Sequence, residues 1–584
     1  MESRYNLPMK SKHGKTIDRT SPRREHPNPL LKRDVVISLN GEWEFEVNKT
    51  HETPNQYQER ILVPFAPETE LSGLSKTIGK GEHLHYRRAF DKPKGLDGNI
   101  CLLHFDAVDQ IADVYLNGKY LGHHEGGYLP FAFECSQLKE NNILEVNVYD
   151  DADDDVYPRG KQMRDPFGIW YTPTSGIWGS VWLEIVPEEY VEKMRITPNF
   201  DEKTIELKVY FKGNVQNSSV EITFDGALVA SGTLDKEGKA IMDLSFSFFP
   251  WSPENPRLYS LRVRANEDEV SSYFAMRKYS IGERKGKKVF ELNNKPYFLN
   301  GVLDQGYWPD SGLTPPSLEA MEFDILAMKE LGFNMLRKHI KVEPLSWYAL
   351  CDKLGMIVIQ DFLNAGTRYK QFLINTCPFI RWKFNDKKPN IQAMLGRGNQ
   401  KSKEYFEKEM APFVERLYNV PSIAIWTLFN EGWGQFDAVR LTSVLRKLDQ
   451  TRLIDSTSGW FDQGCGDFNS RHIYFRAPKA KGDGKRILYI SEYGGYVARI
   501  EGHSMSSKGV RYFKSNDLTG QFVGTLEKTL LPMIEKEGLC CIVYTQLSDV
   551  EGEANGLYTY DREVCKVDKE KVRLINERMV FQDD

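Results

Sequence analysis

An acidic side chain, Glu431, ends one of the most apolar segments of the chain, AIWTLFNEGWGQ (residues 424–435). The apolar run before it predicts a buried strand, so that Glu431 lies where a core meets its surroundings. A carboxylate beside buried apolar surface costs free energy unless another group pairs with it or a reaction uses it. Glu431 is therefore either a paired structural acid or an acid whose proton affinity is tuned for chemistry.

A second acid, Glu492, ends another apolar run, ILYISEYGG. Two carboxyl groups with different proton affinities can divide the roles of proton donor and nucleophile between them. The apolar run before Glu431 and Trp433 after it would disfavour the charged form of that acid. Tyr474 and Arg337, which we expect near Glu492, would keep Glu492 ionised. The pattern predicts that Glu431 donates a proton and that Glu492 attacks.

The part of the chain that carries both acids alternates between strand and helix patterns. Helical periodicity is strong in SLEAMEFDILAMKELG, PLSWYALCDKLG and AVRLTSVLRKLD. Eight apolar runs around such segments predict strands: YFLNGVL, FNMLRKHI, MIVIQDF, SIAIWTLF, RLIDST, HIYF, ILYIS and LCCIVYTQL. Eight parallel strands with intervening helices predict a (β/α)8 barrel, in which the chemistry lies at the C-terminal ends of the strands.

Charged or polar side chains follow nearly all of the predicted strands, as a catalytic barrel requires. In chain order they are Asp304, Arg337, His339, Asp361, Asn430, Glu431, Ser456, Ser458, His472, Tyr474, Glu492, Gln546 and Asp549. Strands 4 and 7 lie far apart around a narrow barrel, so that Glu431 and Glu492 would face each other across its mouth. A carboxyl pair about 5 to 5.5 Å apart is what a retaining glycosidase needs.

Two all-β regions precede the barrel. The first has short alternating strands and a hairpin signal at Asn117-Gly118, which predict a β-sandwich. The second is about 90 residues long, a length that fits one immunoglobulin-like sandwich. We predict an N-terminal extension at residues 1–30, the first sandwich at 31–187, the second at 188–282 and the barrel at 283–584.

Composition narrows the classes of function. The net charge is −5, with acids and bases mixed, which gives no basic surface for nucleic acid. The eight cysteines are scattered without a C-x-x-C pair, which is typical of reduced thiols. The polar N-terminal segment lacks the apolar core of a secretory signal, and no apolar stretch reaches the length that spans a membrane. We expect a cytoplasmic protein with no nucleic-acid or membrane partner.

Four segments carry a family resemblance: NVPSIAIWTLFNEG, FNMLRKHI, ISEYGG and SGIWGSVWLEIV. They resemble glycoside hydrolase family 2, in which the first ends on the acid/base, the third holds the nucleophile and the fourth closes the first sandwich. The resemblance implies a sugar-binding jelly roll, an immunoglobulin-like sandwich and a catalytic (β/α)8 barrel. It also implies that Glu431 is the acid/base and that Glu492 is the nucleophile.

The same resemblance implies roles for further residues. Asn430 would hydrogen-bond the 2-hydroxyl of the sugar, and His339 would bind at the −1 subsite. Arg337 and Tyr474 would orient and polarise the nucleophile. The remaining candidates for substrate contacts are two tryptophans that could stack on a sugar face and four polar residues at strand ends: Trp433, Trp460, Asp304, Asp361, His472 and Gln546.

The chain also departs from the family pattern. Lys338 stands where the family usually has a small residue, and Asp361 stands where strand 3 more often ends in Glu. The Asn-x-Lys motif that reads uronates in β-glucuronidases is not seen at its expected place, which speaks against that activity. The metal sites of long β-galactosidases are not carried over, and we expect no metal or cofactor. PRGKQMRDP (residues 158–166) could reach the active site from the first sandwich.

We predict a retaining exo-glycosidase with β-galactosidase-like activity on terminal glycosyl residues of a glycoside or oligosaccharide. The unusual stretches LDQGYWPD and RKHIKVEP leave furanosides open, either α-L-arabinofuranosides or β-D-galactofuranosides. A carbohydrate-binding protein without activity is the alternative of another class, although both acids are present. A metal-dependent hydrolase would need His pairs that these strand ends lack. Homo-oligomerisation and closure of the site by the loop at residues 363–400 stay open.

Overall fold

The computed structural model describes residues 9–96, 98–135, 138–364, 366–367, 373, 384–505 and 514–582. Two β-sandwiches are followed by a barrel of eight parallel strands, which confirms the predicted multidomain fold class. Part of the loop at residues 363–400 lies outside the described residues, and its role in closing the site stays open. The four predicted domain limits stay predictions.

The first sandwich consists of two facing antiparallel sheets. Its strands are β1 (Val36–Ser38), β2 (Gly41–Asn48), β3 (Glu59–Val63), β4 (His83–Asp91), β5 (Asn99–Phe105), β6 (Val108–Asp109), β7 (Ile111–Leu116), β8 (Lys119–Glu125), β9 (Phe131–Glu134), β10 (Asn141–Tyr149), β11 (Gly176–Ile177) and β12 (Val181–Pro187). One sheet has the order β3-β2-β4-β10-β7-β8 and the other β1-β12-β5-β9, while β6 pairs with β11. Alternate side chains such as Trp43, Phe45 and Val146 fill the core between the sheets.

The second sandwich is smaller. Its strands are β13 (Tyr190–Asn199), β14 (Thr204–Lys212), β15 (Ser218–Phe224), β16 (Ala227–Gly232), β17 (Lys239–Asp243), β18 (Tyr259–Ala265) and β19 (Asp268–Phe274). They form two sheets in the orders β13-β14-β17 and β16-β15-β18-β19. Strand β18 alternates strictly between buried and exposed residues, which is the period-2 pattern of a strand with one face on a core.

Three short antiparallel strands close the N-terminal end of the barrel: β20 (Tyr279–Arg284), β21 (Lys287–Leu292) and β22 (Lys295–Pro296). Val289 and Phe290 pack in one cluster with Leu299, Ile425 and other side chains of the barrel interior. The barrel is therefore filled and capped at this end, and its other end is left for chemistry.

The barrel strands are β23 (Leu299–Asp304), β24 (Met335–Lys338), β25 (Ile357–Asp361), β26 (Ile423–Asn430), β27 (Leu453–Ser458), β28 (Phe468–Ile473), β29 (Ile487–Gly494) and β30 (Leu539–Thr545). Seven neighbouring pairs form parallel ladders in the order β27-β26-β25-β24-β23-β30-β29-β28. Side chains link the remaining pair, since Oγ of Ser470 in β28 donates to Oδ1 of Asp455 in β27 at 2.5 Å.

The helices surround the barrel strands. They are α1 (Leu318–Glu330), α2 (Leu345–Leu354), α3 (Pro389–Met394), α4 (Gln400–Leu417), α5 (Ala438–Leu448), α6 (Leu518–Thr525), α7 (Leu531–Glu537) and α8 (Lys569–Glu577). A π-helical segment, Leu526–Leu530, joins α6 to α7, and 3-10 turns occur at Gly14–Thr16 and Ser245–Ser247. Ser317 caps α1 by accepting from the backbone of Ala320, and Gly355 ends α2 in the left-handed conformation.

The predicted position of strand 6, HIYF, is wrong by several residues. The strand is β28 (Phe468–Ile473), so that His472 lies inside it and Tyr474 directly after it. Asp467 fixes this register, because its backbone N–H and side chain bond to Ile454 of β27. The polar sequence of β28 hides the strand, since its inward side chains contact polar partners instead of an apolar core. Within the described residues, no helix is long and apolar enough to cross a membrane.

Candidate active site

The C-terminal ends of the barrel strands bring the two predicted acids together. One carboxylate oxygen of Glu431, one of Glu492 and a ring nitrogen of His472 lie within 4.8 Å of one another. Both acids are buried, with 9% of Glu431 and 4% of Glu492 exposed. The C-terminal ends of β26 and β29, which are far apart in sequence, therefore lie close together in the barrel mouth.

The backbone turns sharply at Glu431, directly after the end of β26. Asn430 is the last residue of β26, and Glu431 directly after it has a φ of +53°. A residue other than glycine is uncommon in this left-handed region and is often found at functional sites. Gly432 continues the turn at a φ of +75°, and a Cβ there would lie 2.2 Å from the ring of Phe461. The sequence Asn-Glu-Gly thus turns the acid into the barrel mouth.

Arg337, near the end of β24, contacts residues from three other barrel strands. Its guanidinium is completely buried and donates from Nε and Nη2 to the two oxygens of Asp361, each at 3.0 Å. Nη1 donates to Oε1 of Glu492 at 3.1 Å, and Nη2 donates to Oδ1 of Asn430 at 2.9 Å. The planar fork of arginine fits this arrangement, because it presents several donors in a fixed geometry.

The surroundings of Glu492 hold it in the charged form. Burial by itself would raise the pKa of Glu492, but the electrostatic effects of His472, Arg337 and His339 outweigh burial and lower this pKa to about 2. The hydroxyl of Tyr474 donates to Oε2 of Glu492 and lies 2.8 Å from Oγ1 of Thr545. A carboxylate that is ionised and held by donors is prepared to act as a nucleophile.

His339 is held beside the same group of residues. Its Nδ1 lies 2.8 Å from Oδ2 of Asp361, which must accept because an ionised carboxylate has no proton to give. Burial lowers the pKa of His339 to about 4, with a further contribution from Lys161. The imidazole is therefore neutral near pH 7, and its Nε2 is an acceptor.

Glu431 has a different neighbour from the one that the sequence pattern suggests. Its Oε1 lies 2.9 Å from Nδ1 of His472, and its backbone N–H donates to the carbonyl of Ser458 at 3.0 Å. Trp433, the expected apolar neighbour, is 1% exposed and packs edge-on against Trp170 of the first sandwich. An imidazole contacts the carboxylate of Glu431, whereas the tryptophan joins a cluster between two domains.

The other predicted residues lie in the networks around this centre. Asp304 is buried and accepts from Nζ of Lys338 at 2.6 Å, and the same ammonium donates to Glu343 at 2.8 Å. Gln546 is fully buried and donates to Oδ1 of Asn555 at 2.8 Å. The ring of Trp460 lies 5.9 Å from that of His472. Lys338, a departure from the family pattern, is thus paired inside the barrel wall.

Lys161 is a candidate that the analysis of strand ends does not find. It belongs to the segment at residues 158–166 of the first sandwich, and its charge acts on both Glu492 and His339. The backbone N–H of Arg159 donates to the carbonyl of Asn364 at 3.3 Å, which fixes the segment on the barrel. The sequence predicted only that the segment PRGKQMRDP could reach the active site, and it did not single out Lys161.

The site contains one group of potential metal ligands among the described residues, namely Glu431, His472 and Glu492. Arg337 donates directly to Glu492, and a second cation at the same carboxylate would be repelled by it. This donor set therefore fits a carboxyl pair held by an arginine better than a divalent ion. That the chain uses no metal or cofactor stays a prediction.

Three family models match consecutive segments of the chain. "Glycosyl hydrolase 2 galactose-binding domain-like" matches residues 57–164, and "Glycosyl hydrolases family 2" matches residues 189–277. "Glycosyl hydrolases family 2, TIM barrel domain" matches residues 284–482. The three matches follow one another in the order of the two sandwiches and the barrel.

Some of the known proteins that resemble this chain are named as β-glucuronidases and others as β-galactosidases. A putative β-glucuronidase of Formosa agariphila is 25% identical over 354 residues, 56% of this chain and 37% of that protein. A β-galactosidase of Thermoanaerobacter pseudethanolicus is 22% identical over 402 residues, 63% of this chain and 47% of that protein. The chain spans less than half of the length of these curated relatives.

Solved structures share the whole architecture. A β-glucuronidase from an uncultured Clostridium species superposes with a TM-score of 0.71 at 19% identity, covering 94% of this chain and 99% of that one. A β-galacturonidase from Eisenbergiella tayi does so with a TM-score of 0.69 at 18% identity, covering 96% and 99%. At such identities the likeness shows the fold alone. Because models of one family match both sandwiches and the barrel in order, the chain belongs to glycoside hydrolase family 2.

Proposed function

We propose that this chain is a retaining exo-glycosidase that removes terminal non-reducing glycosyl residues, with β-galactosidase-like specificity. The observation that carries the proposal is the carboxyl pair, in which an oxygen of Glu431 and an oxygen of Glu492 lie within 4.8 Å. Retaining glycosidases hold their carboxyl groups about 5 to 5.5 Å apart, whereas inverting ones need about 6.5 to 9.5 Å to admit a water. The short separation favours a covalent intermediate.

In the proposed reaction the two acids take different roles. Glu492, which is ionised and held by Arg337 and Tyr474, attacks the anomeric carbon while Glu431 gives its proton to the departing oxygen. In the second step Glu431 takes a proton from water, the water oxygen bonds to the anomeric carbon, and Glu492 leaves as a carboxylate. Two inversions at that carbon give net retention.

Asn430 is placed to position the sugar. Its Oδ1 accepts from Nη2 of Arg337, which fixes the orientation of the amide and turns its N–H groups away from the guanidinium. A fixed donor beside the two acids suits a hydroxyl next to the anomeric carbon. This agrees with the role that the family resemblance implies for Asn430.

The sugar itself is proposed from the relatives. Several curated relatives are named β-galactosidases, and others are named putative β-glucuronidases. The Asn-x-Lys motif is not seen at the place expected for a β-glucuronidase, so that a neutral galactoside is the first choice. A panel of para-nitrophenyl pyranosides and furanosides tests this choice directly. Turnover of the β-galactopyranoside supports it, and exclusive turnover of a furanoside or a uronide replaces it.

The roles of the acids are tested with two variants on the best substrate. We expect Glu431→Ala and Glu492→Ala to lower turnover by at least about 10²-fold, the range of a positioned acid or base. Azide should restore product formation in both variants, because it replaces the missing carboxylate.

The configuration of the azide product separates the two roles. Glu431→Ala should give the azide with the configuration of the substrate, because azide attacks the covalent intermediate. Glu492→Ala should give the opposite configuration, since azide then attacks the substrate itself. Inverted products from the unaltered enzyme, or exchanged azide products, would refute the assignment.

A further inference from the structure

The imidazole of His472 lies between the two carboxylates. Its Nδ1 is 2.9 Å from Oε1 of Glu431, and its Nε2 is 3.1 Å from Oγ of Ser458 and 3.5 Å from Oε1 of Glu492. The side chain is completely buried. The ring therefore links Glu431, the proposed proton donor, to Ser458 at the end of β27, and it approaches Glu492, the proposed nucleophile.

The residues at the end of β27 pack against this ring. Gly459 has a φ of +87°, and a Cβ there would lie 2.4 Å from Cγ of His472. The carbonyl of the preceding residue, Ser458, accepts the backbone N–H of Glu431 at 3.0 Å. Glu431, His472 and Ser458 thus form a closed set of contacts, in which the ring packs against the segment that also holds the acid.

The two tautomers of His472 have different consequences for Glu431. With its proton on Nδ1, the ring donates to Oε1 of Glu431, and the hydroxyl of Ser458 can donate to Nε2. With its proton on Nε2, the ring can only accept at Nδ1, so that the proton of Glu431 would lie on Oε1 and face the imidazole. Only the first tautomer leaves the acidic proton on the other oxygen, Oε2.

We propose that His472 is a positioning residue for Glu431, whose Nδ1–H holds Oε1 and thereby directs Oε2 to the glycosidic oxygen. This inference rests on the proposed function of the carboxyl pair. In the first step the proton moves from Oε2 to the leaving oxygen as the glycosidic bond breaks and the bond to Glu492 forms. The carboxylate that remains on Glu431 is stabilised at Oε1 by the same donor. In the second step Oε2 accepts a proton of water, the water oxygen bonds to the anomeric carbon, and the ester bond to Glu492 breaks.

A matched pair of substitutions separates the two ring nitrogens. The amide of His472→Asn can place its nitrogen near the position of Nδ1, whereas the amide of His472→Gln reaches the position of Nε2. The asparagine variant keeps a donor for Glu431, whereas the glutamine variant keeps only a polar group near Ser458 and Glu492. If the ring acts on Glu431, asparagine is the better replacement.

The measurement is kcat/KM on two aryl glycosides of the preferred sugar, one with phenol and one with 2,4-dinitrophenol as the leaving group. Phenol needs protonation to depart, and dinitrophenol hardly does. We expect His472→Gln to lose about 100-fold on the phenyl glycoside and less than about fivefold on the dinitrophenyl glycoside. His472→Asn should stay within about tenfold of the unaltered protein on both.

Ser458→Ala gives a second and milder route to the same result, because it removes the hydroxyl that favours the Nδ1–H tautomer. We expect the same dependence on the leaving group, at about three- to tenfold on the phenyl glycoside. Circular dichroism and Tm establish that each variant folds, and a His472→Gln protein that does not fold leaves Ser458→Ala as the deciding variant.

Equal losses on both glycosides would overturn the inference, because a defect that is structural or acts on the nucleophile does not depend on the leaving group. A glutamine variant that matches or exceeds the asparagine variant would overturn it as well. Failure of the proposed function looks different, since the unaltered protein would then cleave neither glycoside, or Glu431→Ala would keep full activity.

Discussion

At the scale of single residues, the site is a cluster of charges that compensate one another. The guanidinium of Arg337 lies against two carboxylates, those of Asp361 and Glu492, and all three side chains are almost completely buried. Removing one charge from such a group leaves the others uncompensated, at a cost of several kcal/mol. Arg337 thereby also contributes to the ionised form of Glu492.

The lowered pKa of Glu492 gives an expectation for the pH dependence. Because this pKa is about 2, the carboxyl is charged at every pH well above that value and loses nucleophilicity only below it. A 2,4-dinitrophenyl 2-deoxy-2-fluoroglycoside traps the nucleophile and needs no acid catalyst. We expect its rate of inactivation to be constant between about pH 5 and pH 8, above the pKa of about 4 of the neighbouring His339. A rate that rises with an apparent pKa above about 5 would contradict the environment described for Glu492.

At the scale of elements, a loop of the first sandwich completes the barrel mouth. A Cβ on Gly160 would lie 2.9 Å from the carbonyl oxygen of Ile340, so that loop and barrel are in close contact. Nη2 of Arg159 donates to the carbonyl of Gly366 at 3.2 Å. The loop therefore has a defined position, and Lys161 within it presents its charge to the site.

We expect Lys161→Met to raise KM about tenfold or more with little change in Tm, because one charge-assisted contact to a bound sugar contributes about 1.5 to 3 kcal/mol. Steady-state kinetics on the preferred glycoside measures this. Arg164 is the matched control in the same loop, since its guanidinium pairs with Asp151 at 2.5 Å. Arg164→Met should leave KM unchanged. Equal effects of the two substitutions would show that only loop structure is involved.

At the scale of the whole molecule, buried ion pairs join the domains. Arg33 is 5% exposed and donates to Oδ1 and Oδ2 of Asp268 at 2.9 and 2.7 Å and to Oε1 of Glu184 at 2.9 Å. Glu184 belongs to the first sandwich and Asp268 to the second. One side chain that precedes β1 thus connects the two sandwiches.

We expect Arg33→Met to lower the free energy of unfolding by about 3 to 5 kcal/mol, because Asp268 and Glu184 are buried and both lose the guanidinium, while Glu184 keeps the imidazole of His104 at 3.0 Å. Chemical denaturation and Tm measure the change. Arg60→Met is the control, since its pair with Glu42 has side chains that are 64% and 60% exposed. Its removal should cost less than about 1 kcal/mol. A small effect at Arg33 would mean that water or a rearranged side chain replaces the guanidinium.

Local patterns predicted the strands with apolar interiors, such as β26 and β29, and the amphipathic helices α1, α2 and α5. Strand 6 was misplaced because Asn469, Ser470 and His472 face polar partners and leave no apolar signature. The helix α8 was missed because its apolar positions are few and its surface is charged. Where a segment owes its structure to partners far away in sequence, its own residues carry little information.

The sequence by itself determined the family, the order of the three structural units and the identity of Glu431 and Glu492 as the paired acids. These follow from short-range patterns, in which hydrophobic periodicity and a motif are complete within about 15 residues. Only the tertiary structure decided what surrounds each acid: His472 rather than Trp433 at Glu431, and Lys161 from another domain near Glu492. These neighbours come from strands and loops that are distant in sequence. They meet only in the folded chain, so no local sequence pattern identifies them.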